Sequence, residues 1–270
     1  MSCCNTMVFP IVRTDLIVPC LESFWRVSDR DAHRVIVIDQ SRNGLPDLIG
    51  AKLAHMHIRV YRNLGFAKSA NTGIRLADTE YVTVCNDDTF FFDARWWGGI
   101  VGVFERVPEA LAINPSTPRM PGWGFGREGY IHIADIDSRE KCLAPGAWEL
   151  LMDKTPLRGL CRGICTWCTT FHMPRMAQSG VLGSKGHIFD ERFYPGSAED
   201  YDVNARIFRA GGVAVGTHES WVWHDWGKTK DADKELSRPS WNKIGELWED
   251  GFTVQGGSAR KTDEVYIDSL

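Results

Sequence analysis

The run Tyr81-Val-Thr-Val-Cys85 is uncharged, rich in β-branched residues, and stops on Asn86-Asp87-Asp88. Such a run predicts a buried strand. Two adjacent carboxylates at its end are costly to bury unless a cation or hydrogen-bond donors satisfy them. In open α/β sheets, ligands gather at the carboxyl edge, where this strand ends. The plain alternative is a strand followed by an Asx turn, because Asn and Asp form turns readily.

The residues around this strand set the fold class. Short β-branched runs at Met7–Val12, Arg34–Ile38 and Ile58–Tyr61 precede it, and helical patterns at Leu16–Val27, Pro46–His55 and Phe66–Ala77 lie between them. Strand–helix–strand alternation predicts a mostly parallel, Rossmann-like sheet flanked by helices. Each strand is followed by a polar turn, so the turns collect on one edge and form a crevice. Farther on, Ala94–Val107 reads as a helix. Pro115 to Gly126 is rich in breakers and reads as a long loop. Gly163–Met173 reads as a returning strand, Glu199–Ala210 as a helix closed by Gly211-Gly212, and Val213–Val215 and Trp221–Trp223 as short strands. Ser240–Trp248 has the spacing of an amphipathic helix, and a polar tail follows.

Composition narrows the partners. With 31 basic and 35 acidic residues in 270, the net charge of −4 gives no bulk attraction to a polyanion, so a nucleic-acid acceptor is conceivable but not favoured. The start, Met1-Ser-Cys-Cys-Asn, lacks a basic leader region, and no apolar run reaches membrane-spanning length. A cytoplasmic protein with reduced cysteines is the simpler expectation for the eight Cys. Eleven Trp leave open whether aromatic faces in loops stack on sugars or fill the core.

Four pieces now stand in order: Asp39 after the second strand; Asn63-Leu-Gly-Phe-Ala-Lys-Ser-Ala-Asn71-Thr-Gly73; Asn86-Asp87-Asp88; and Phe189-Asp-Glu followed by Glu199-Asp200-Tyr-Asp202 and Arg206. His224 comes after them in Trp221-Val-Trp-His-Asp. The ordered set, over roughly residues 7–226, closely resembles the family 2 glycosyltransferases of the GT-A fold, with rhamnosyltransferase-like members among them. The resemblance implies a single domain over residues 1–226. Its nucleotide-binding half would span about 1–93, its acceptor-side half with an irregular insertion about 94–226, and a helix and tail would follow in 227–270.

The resemblance also implies roles. A nucleoside-diphosphate sugar donor leaves negative charge on its pyrophosphate, and Mn2+ or Mg2+ held by oxygen and imidazole ligands can neutralise it. Asp88 and His224 match the family's cation or pyrophosphate ligands, and Asp87 the donor sugar or ribose contact. A packed, hydrogen-bonded imidazole is the alternative for His224. Asp39 matches the nucleobase or ribose contact. Of the family's P-x-Y-N-R only Pro10 stands firmly in place here, with Arg13 after it. Lys68 could approach a phosphate or be solvated, and Asn63 and Asn71 would brace the donor pocket. Asp200 matches the general base, which implies inversion at the anomeric carbon, and Glu199 would position hydroxyls; helix capping is the structural alternative for both. Arg206 could pair with Asp202 on the helix surface. The absence of a Q-x-x-R-W element implies transfer of one sugar per event to a saccharide or other hydroxyl acceptor. Trp123, Trp167 and Trp226 are candidate stacking platforms for that acceptor.

A competing reading comes from Cys161-x3-Cys165-x2-Cys168, a spacing that resembles radical SAM enzymes and can hold an iron–sulfur cluster. Small apolar cysteines packed in a strand are the bland alternative. A non-catalytic nucleotide-sugar binder is a third reading, against which the presence of both Asp88 and Asp200 argues.

Overall fold

The computed structural model of the chain describes residues 4–41, 44–118, 136–154 and 160–225. The first half runs β1 (Asn5–Ile11), α1 (Ile17–Val27), β2 (His33–Asp39), β3 (Met56–Arg59), α2 (Phe66–Ile74), β4 (Tyr81–Cys85) and β5 (Thr89–Phe90). Next come α3 (Arg95–Arg106), β6 (Ala110–Ser116), α4 (Arg139–Cys142), α5 (Ala147–Lys154), β7 (Leu160–Arg162) and β8 (Cys168–His172). The last described elements are α6 (Met173–Gln178), α7 (Glu199–Arg209), β9 (Val213–Trp221) and β10 (Trp223–His224).

Eight strands form one sheet in the order β3-β2-β1-β4-β8-β6-β9-β7, and β10 pairs with β5 in a separate two-stranded ribbon. Only β8 and β7 run against their neighbours; the remaining pairings in the large sheet are parallel. Period-2 alternation divides the core into two layers. Met7, Phe9 and Ile11 of β1 join Tyr81 and Cys85 of β4 beneath Leu21 and Phe24 of α1 and Ile100, Val103 and Phe104 of α3. Val8, Val82 and Val84 face the other way, against Ala67, Ala70 and Ile74 of α2 and Val203 and Ile207 of α7. Helix α2 lies so close to β1 that a Cβ built on Gly73 would stand 2.3 Å from Val8 Cγ1, so only glycine fits there.

Several elements differ from expectation. Pro46–His55 is a set of turns, not a helix. Asp47 Oδ1 accepts from the Gly50 amide and Lys52 sits at φ 56, so side-chain competition and a left-handed residue break the helical pattern. Pro115 lies inside strand β6, tolerated because the β6–β9 register shifts between Pro115 and Ser116. The first short strand expected after Gly212 runs on to Trp221, with Gly216 and Thr217 paired to both β6 and β7, and the second is split, Trp221 ending β9 while Trp223 opens β10. The expected Ser240–Trp248 helix and all of 226–270 lie outside the described residues.

Two buried imidazoles give the fold a pH dependence. His33 packs against Trp96 and Phe24, and His218 stacks on Trp221 while its Nδ1 lies 2.7 Å from Ser116 Oγ. Burial pushes both down from the usual 6.5 to about 4, with Asp29 partly opposing this at His33. The depressed pKa means the unfolded chain takes protons that the native chain refuses. The contribution of these two groups is therefore full above about pH 6.5 and is lost as pH drops toward 4. Asp87, a buried carboxyl with a raised pKa, acts in the opposite direction. Denaturant unfolding at pH 7 and pH 4.5 should show a loss on the order of a few kcal/mol from these two groups, and His218→Gln should reduce the difference. An unchanged difference in that variant would contradict the assignment.

Candidate functional site: a buried Asp–His pair at the carboxyl edge of the sheet

The topology brings the sequence motifs to one edge. Strands β4, β6 and β9 run in the same direction, so the residues after Cys85 and after Trp221 leave the sheet at its carboxyl edge. Helix α7 connects to the start of β9 through Gly211-Gly212, so its C-terminus lies at the opposite edge and its N-terminus, with Glu199 and Asp200, at the carboxyl edge.

At the tip of β4, Asp88 and His224 meet directly. The ribbon sets His224 opposite Thr89, and the Asp225 amide donates to the Asp88 carbonyl at 2.9 Å. His224 Nε2 lies 2.9 Å from Asp88 Oδ1, and both side chains are almost fully enclosed. Trp167 is the floor: its ring stacks on His224 at 4.8 Å and 11°, and its carbonyl accepts from the Asn86 amide. Trp167 is 2% exposed, so the acceptor-stacking role expected for it is not open in this arrangement; its face is covered by His224. Trp123 and Trp226 lie outside the described residues.

Asp87 is the electrostatically stressed member of the set. It is buried, and its Oδ2 has no hydrogen-bond partner among the described residues. Burial first and the charge of Asp88 second push its carboxyl up to about 7, while Arg13 partly offsets them. Arg13 itself pairs with Asp15 at the rim. Added positive charge here would satisfy what the protein leaves unbalanced. Among the described residues no three His, Cys, Asp or Glu side chains form a ready-made ligand set. Asp88 and His224 stand side by side as one oxygen and one imidazole donor, and such a pair could share a cation with phosphate oxygens and water. That division is the habit of Mg2+ and of similar hard cations bound with phosphates.

The residues expected to brace the donor pocket make side-chain-to-backbone bonds. Asn63 Oδ1 accepts from the Gly65 amide, and Gln40 Oε1 accepts from the Leu64 amide. Gly65 has φ 78, and a Cβ there would meet Tyr194 and the Pro195 carbonyl within 3 Å. Asn71 clamps α2 to the Phe189-Asp-Glu segment, donating to the Phe189 carbonyl at 2.8 Å and accepting from its amide at 3.1 Å. Lys68 is exposed on α2, and Pro10 is half-buried in β1 beside Ile38. Asp39 is turned inward: it is fully buried, accepts from the Ser41 amide and lies 3.3 Å from His57 Nε2. Each carboxylate oxygen keeps acceptor capacity beyond those bonds, so contact with a nucleobase would need the carboxylate uncovered rather than the bonds broken.

On the acid side, Ser197 (φ 75) and Ala198 (φ 68) are two successive non-glycine residues in the left-handed region immediately before Glu199. Strain of this kind, of order 1–3 kcal/mol per residue, persists where surroundings over-determine the backbone, and it concentrates at functional sites. Glu199 is buried, whereas Asp200 is partly exposed and its Oδ1 accepts from the Tyr201 amide. The Asp202–Arg206 pair is not the surface bridge expected: Asp202 is 3% exposed, and Arg206 also donates to the Val181 and Ile188 carbonyls. It ties α7 to the segment that carries Phe189.

Two of the three cysteines pack as small core residues, as the bland reading expects. Cys168 is buried in β8 opposite Cys85 of β4, and Cys165 is half-buried against the first core layer. The Cys161 side chain lies outside the described residues.

Residues 10–164 match the model for Glycosyl transferase family 2, more than half of the chain. The chain belongs to this family. No curated protein matches it. Among solved structures, this family member is similar to GalNAc-T7 with UDP, GalNAc and Mn2+ (12% identity, 83% of this chain, 44% of that one, TM-score 0.57). It is also similar to the mannosyltransferase PcManGT of Pyrobaculum calidifontis with GDP-Man and Mn2+ (16%, 85%, 59%, 0.55). TarS of S. aureus, residues 1–349 with UDP, is a third (12%, 81%, 59%, 0.52). At these identities the likeness shows the fold, which is GT-A: one α/β domain around a mostly parallel sheet. The chain spans about half the length of these structures. No helix among the described residues is long and apolar enough to cross a membrane.

Proposed function

We propose that this chain transfers one sugar from a nucleoside-diphosphate sugar to a saccharide or other hydroxyl acceptor, with inversion and with the help of a divalent cation. The observation that carries the reading is the enclosed Asp88–His224 pair at the carboxyl edge of a family 2 fold, on the same edge as the acids that open α7. Mn2+ or Mg2+, when bound by Asp88 and His224, would supply Lewis-acid neutralisation of the departing diphosphate. Asp87 would hold a donor hydroxyl, and Arg13 and Lys68 would add positive charge at the rim.

Asp200 accepts the proton of the acceptor hydroxyl, whose oxygen attacks the anomeric carbon as the bond to the diphosphate oxygen breaks. Attack from the face opposite the leaving group inverts the centre. Glu199, more enclosed, orients hydroxyls next to it. Residues 1–93 bind the nucleotide, and the part from 94 onward meets the acceptor. Processive synthesis is not expected.

Binding to the native state raises the melting temperature. In a thermal-shift screen of UDP, GDP and their sugars, at least one nucleotide should stabilise the chain more with Mn2+ than without it. Equal shifts with and without Mn2+ for every nucleotide would contradict the cation-assisted donor site. Binding without any donor hydrolysis or transfer would instead favour a non-catalytic binder.

A further inference from the structure

The residue after His224 gathers bonds that the proposed chemistry does not use. Asp225 Oδ1 accepts from Trp223 Nε1 at 2.6 Å, and Oδ2 accepts from Nη2 of Arg139 in α4. The Asp225 amide holds the Asp88 carbonyl. The Arg139 guanidinium also lies over the Phe90 ring at 5.6 Å, and Arg26 of α1 lies over the same ring at 5.0 Å. Around this polar centre, Ile136, Trp148 and Leu151 of the acceptor-side segment pack with Phe92, Trp221 and Trp223 in a third apolar cluster.

The ribbon that presents His224 to Asp88 consists of two strands of two residues each. Isolated ribbons even longer than this are at best marginal, so β5–β10 cannot hold its own shape. Its position must come from what packs on it. Apolar contact alone lets surfaces slide; a charged, hydrogen-bonded pair inside the contact fixes one register. Arg139–Asp225 is such a pair, one peptide bond from His224 and one backbone hydrogen bond from Asp88.

We propose that Arg139 and Asp225 are positioning residues: they latch the segment Ile136–Lys154 onto the β5–β10 ribbon and so set the mutual placement of Asp88 and His224. This rests on the donor-site reading above and extends it. The acceptor-side segment and the cation pair become one mechanical unit, so displacement of α4 loosens the grip on the donor diphosphate, and occupancy on one side favours occupancy on the other.

The test uses the full chain with Arg139→Gln, Arg139→Lys and Asp225→Asn. Calorimetry measures the affinity for UDP and GDP with Mn2+ and with EDTA. Loss of an orienting partner typically lowers metal affinity by about tenfold or more, so Arg139→Gln should weaken Mn2+-dependent binding by about that factor. Metal-free nucleotide affinity should stay as in the parent, and Arg139→Lys should recover most of the loss. If both affinities and the melting temperature fall together, with Lys no better than Gln, the role is only structural and the proposal is overturned. Should Arg139→Gln not fold, Asp225→Asn, which keeps a carbonyl for Trp223, carries the same expectation. Hydrogen exchange of the Asp225 amide, measured with no ligand, should speed up in the variant while β6 amides hold; no change refutes the latch. If the parent binds neither diphosphate with Mn2+, the donor site itself fails, and the exchange result still decides whether Arg139 holds the ribbon.

Discussion

Asp200→Asn should abolish sugar transfer while nucleoside diphosphates still bind. The carboxylate stands at the N-terminus of α7, partly open to solvent, on the edge where the β4 tip and His224 emerge. Its Oδ1 accepts from the Tyr201 amide, and an asparagine carbonyl can accept the same bond, so the helix start survives the change. The variant loses the ability to take a proton. Positioned general bases contribute about 10²- to 10⁴-fold, so kcat should fall by that order with KM for the donor nearly unchanged. Steady-state transfer assays beside nucleotide calorimetry measure both quantities. An equal fall in donor affinity would place Asp200 in donor binding, and an intact kcat would remove it from the chemistry.

Asp88→Ala should act on the other half of the site. Removing this carboxylate takes away one of the two proposed cation ligands and leaves His224 facing a gap. Because loss of even an orienting partner costs about 10- to 100-fold in metal affinity, loss of the ligand itself should cost at least about a hundredfold in Mn2+-dependent donor affinity. Binding measured in EDTA should change little, since Asn63, Asn71 and the Gly65 turn are untouched. If Mn2+ enhances nucleotide binding equally in the parent and the variant, Asp88 is not a cation ligand.

Much of this was legible in the chain and some was not, for physical reasons. Strands β1, β2 and β4 are buried almost throughout, and their β-branched, largely apolar runs announce them. Helix α7 announces itself by its acidic first turn and the glycine pair after it. Strand β6 hid behind Pro115, which sits at a register shift that no local pattern reveals. Trp167 was a candidate stacking platform because sequence shows aromatic content but not which face is covered, here by His224. Asp39 kept its place at the end of β2, yet its carboxylate turned inward to Ser41 and His57, a choice made by a residue 18 positions away. Arg139 and Asp225 gave no signal, since an ion pair across 86 positions leaves no spacing to read.

The central claim is that Asp88 and His224 hold a divalent cation against the donor diphosphate. Crystals grown with Mn2+ and a nucleoside diphosphate, with anomalous diffraction collected at the manganese edge, address it directly. The expected result is one strong peak about 2 Å from an Asp88 oxygen and from His224 Nε2, shared with diphosphate oxygens, with the direct Asp88–His224 contact opened. A bound diphosphate with no peak there, and the 2.9 Å contact intact, would contradict it.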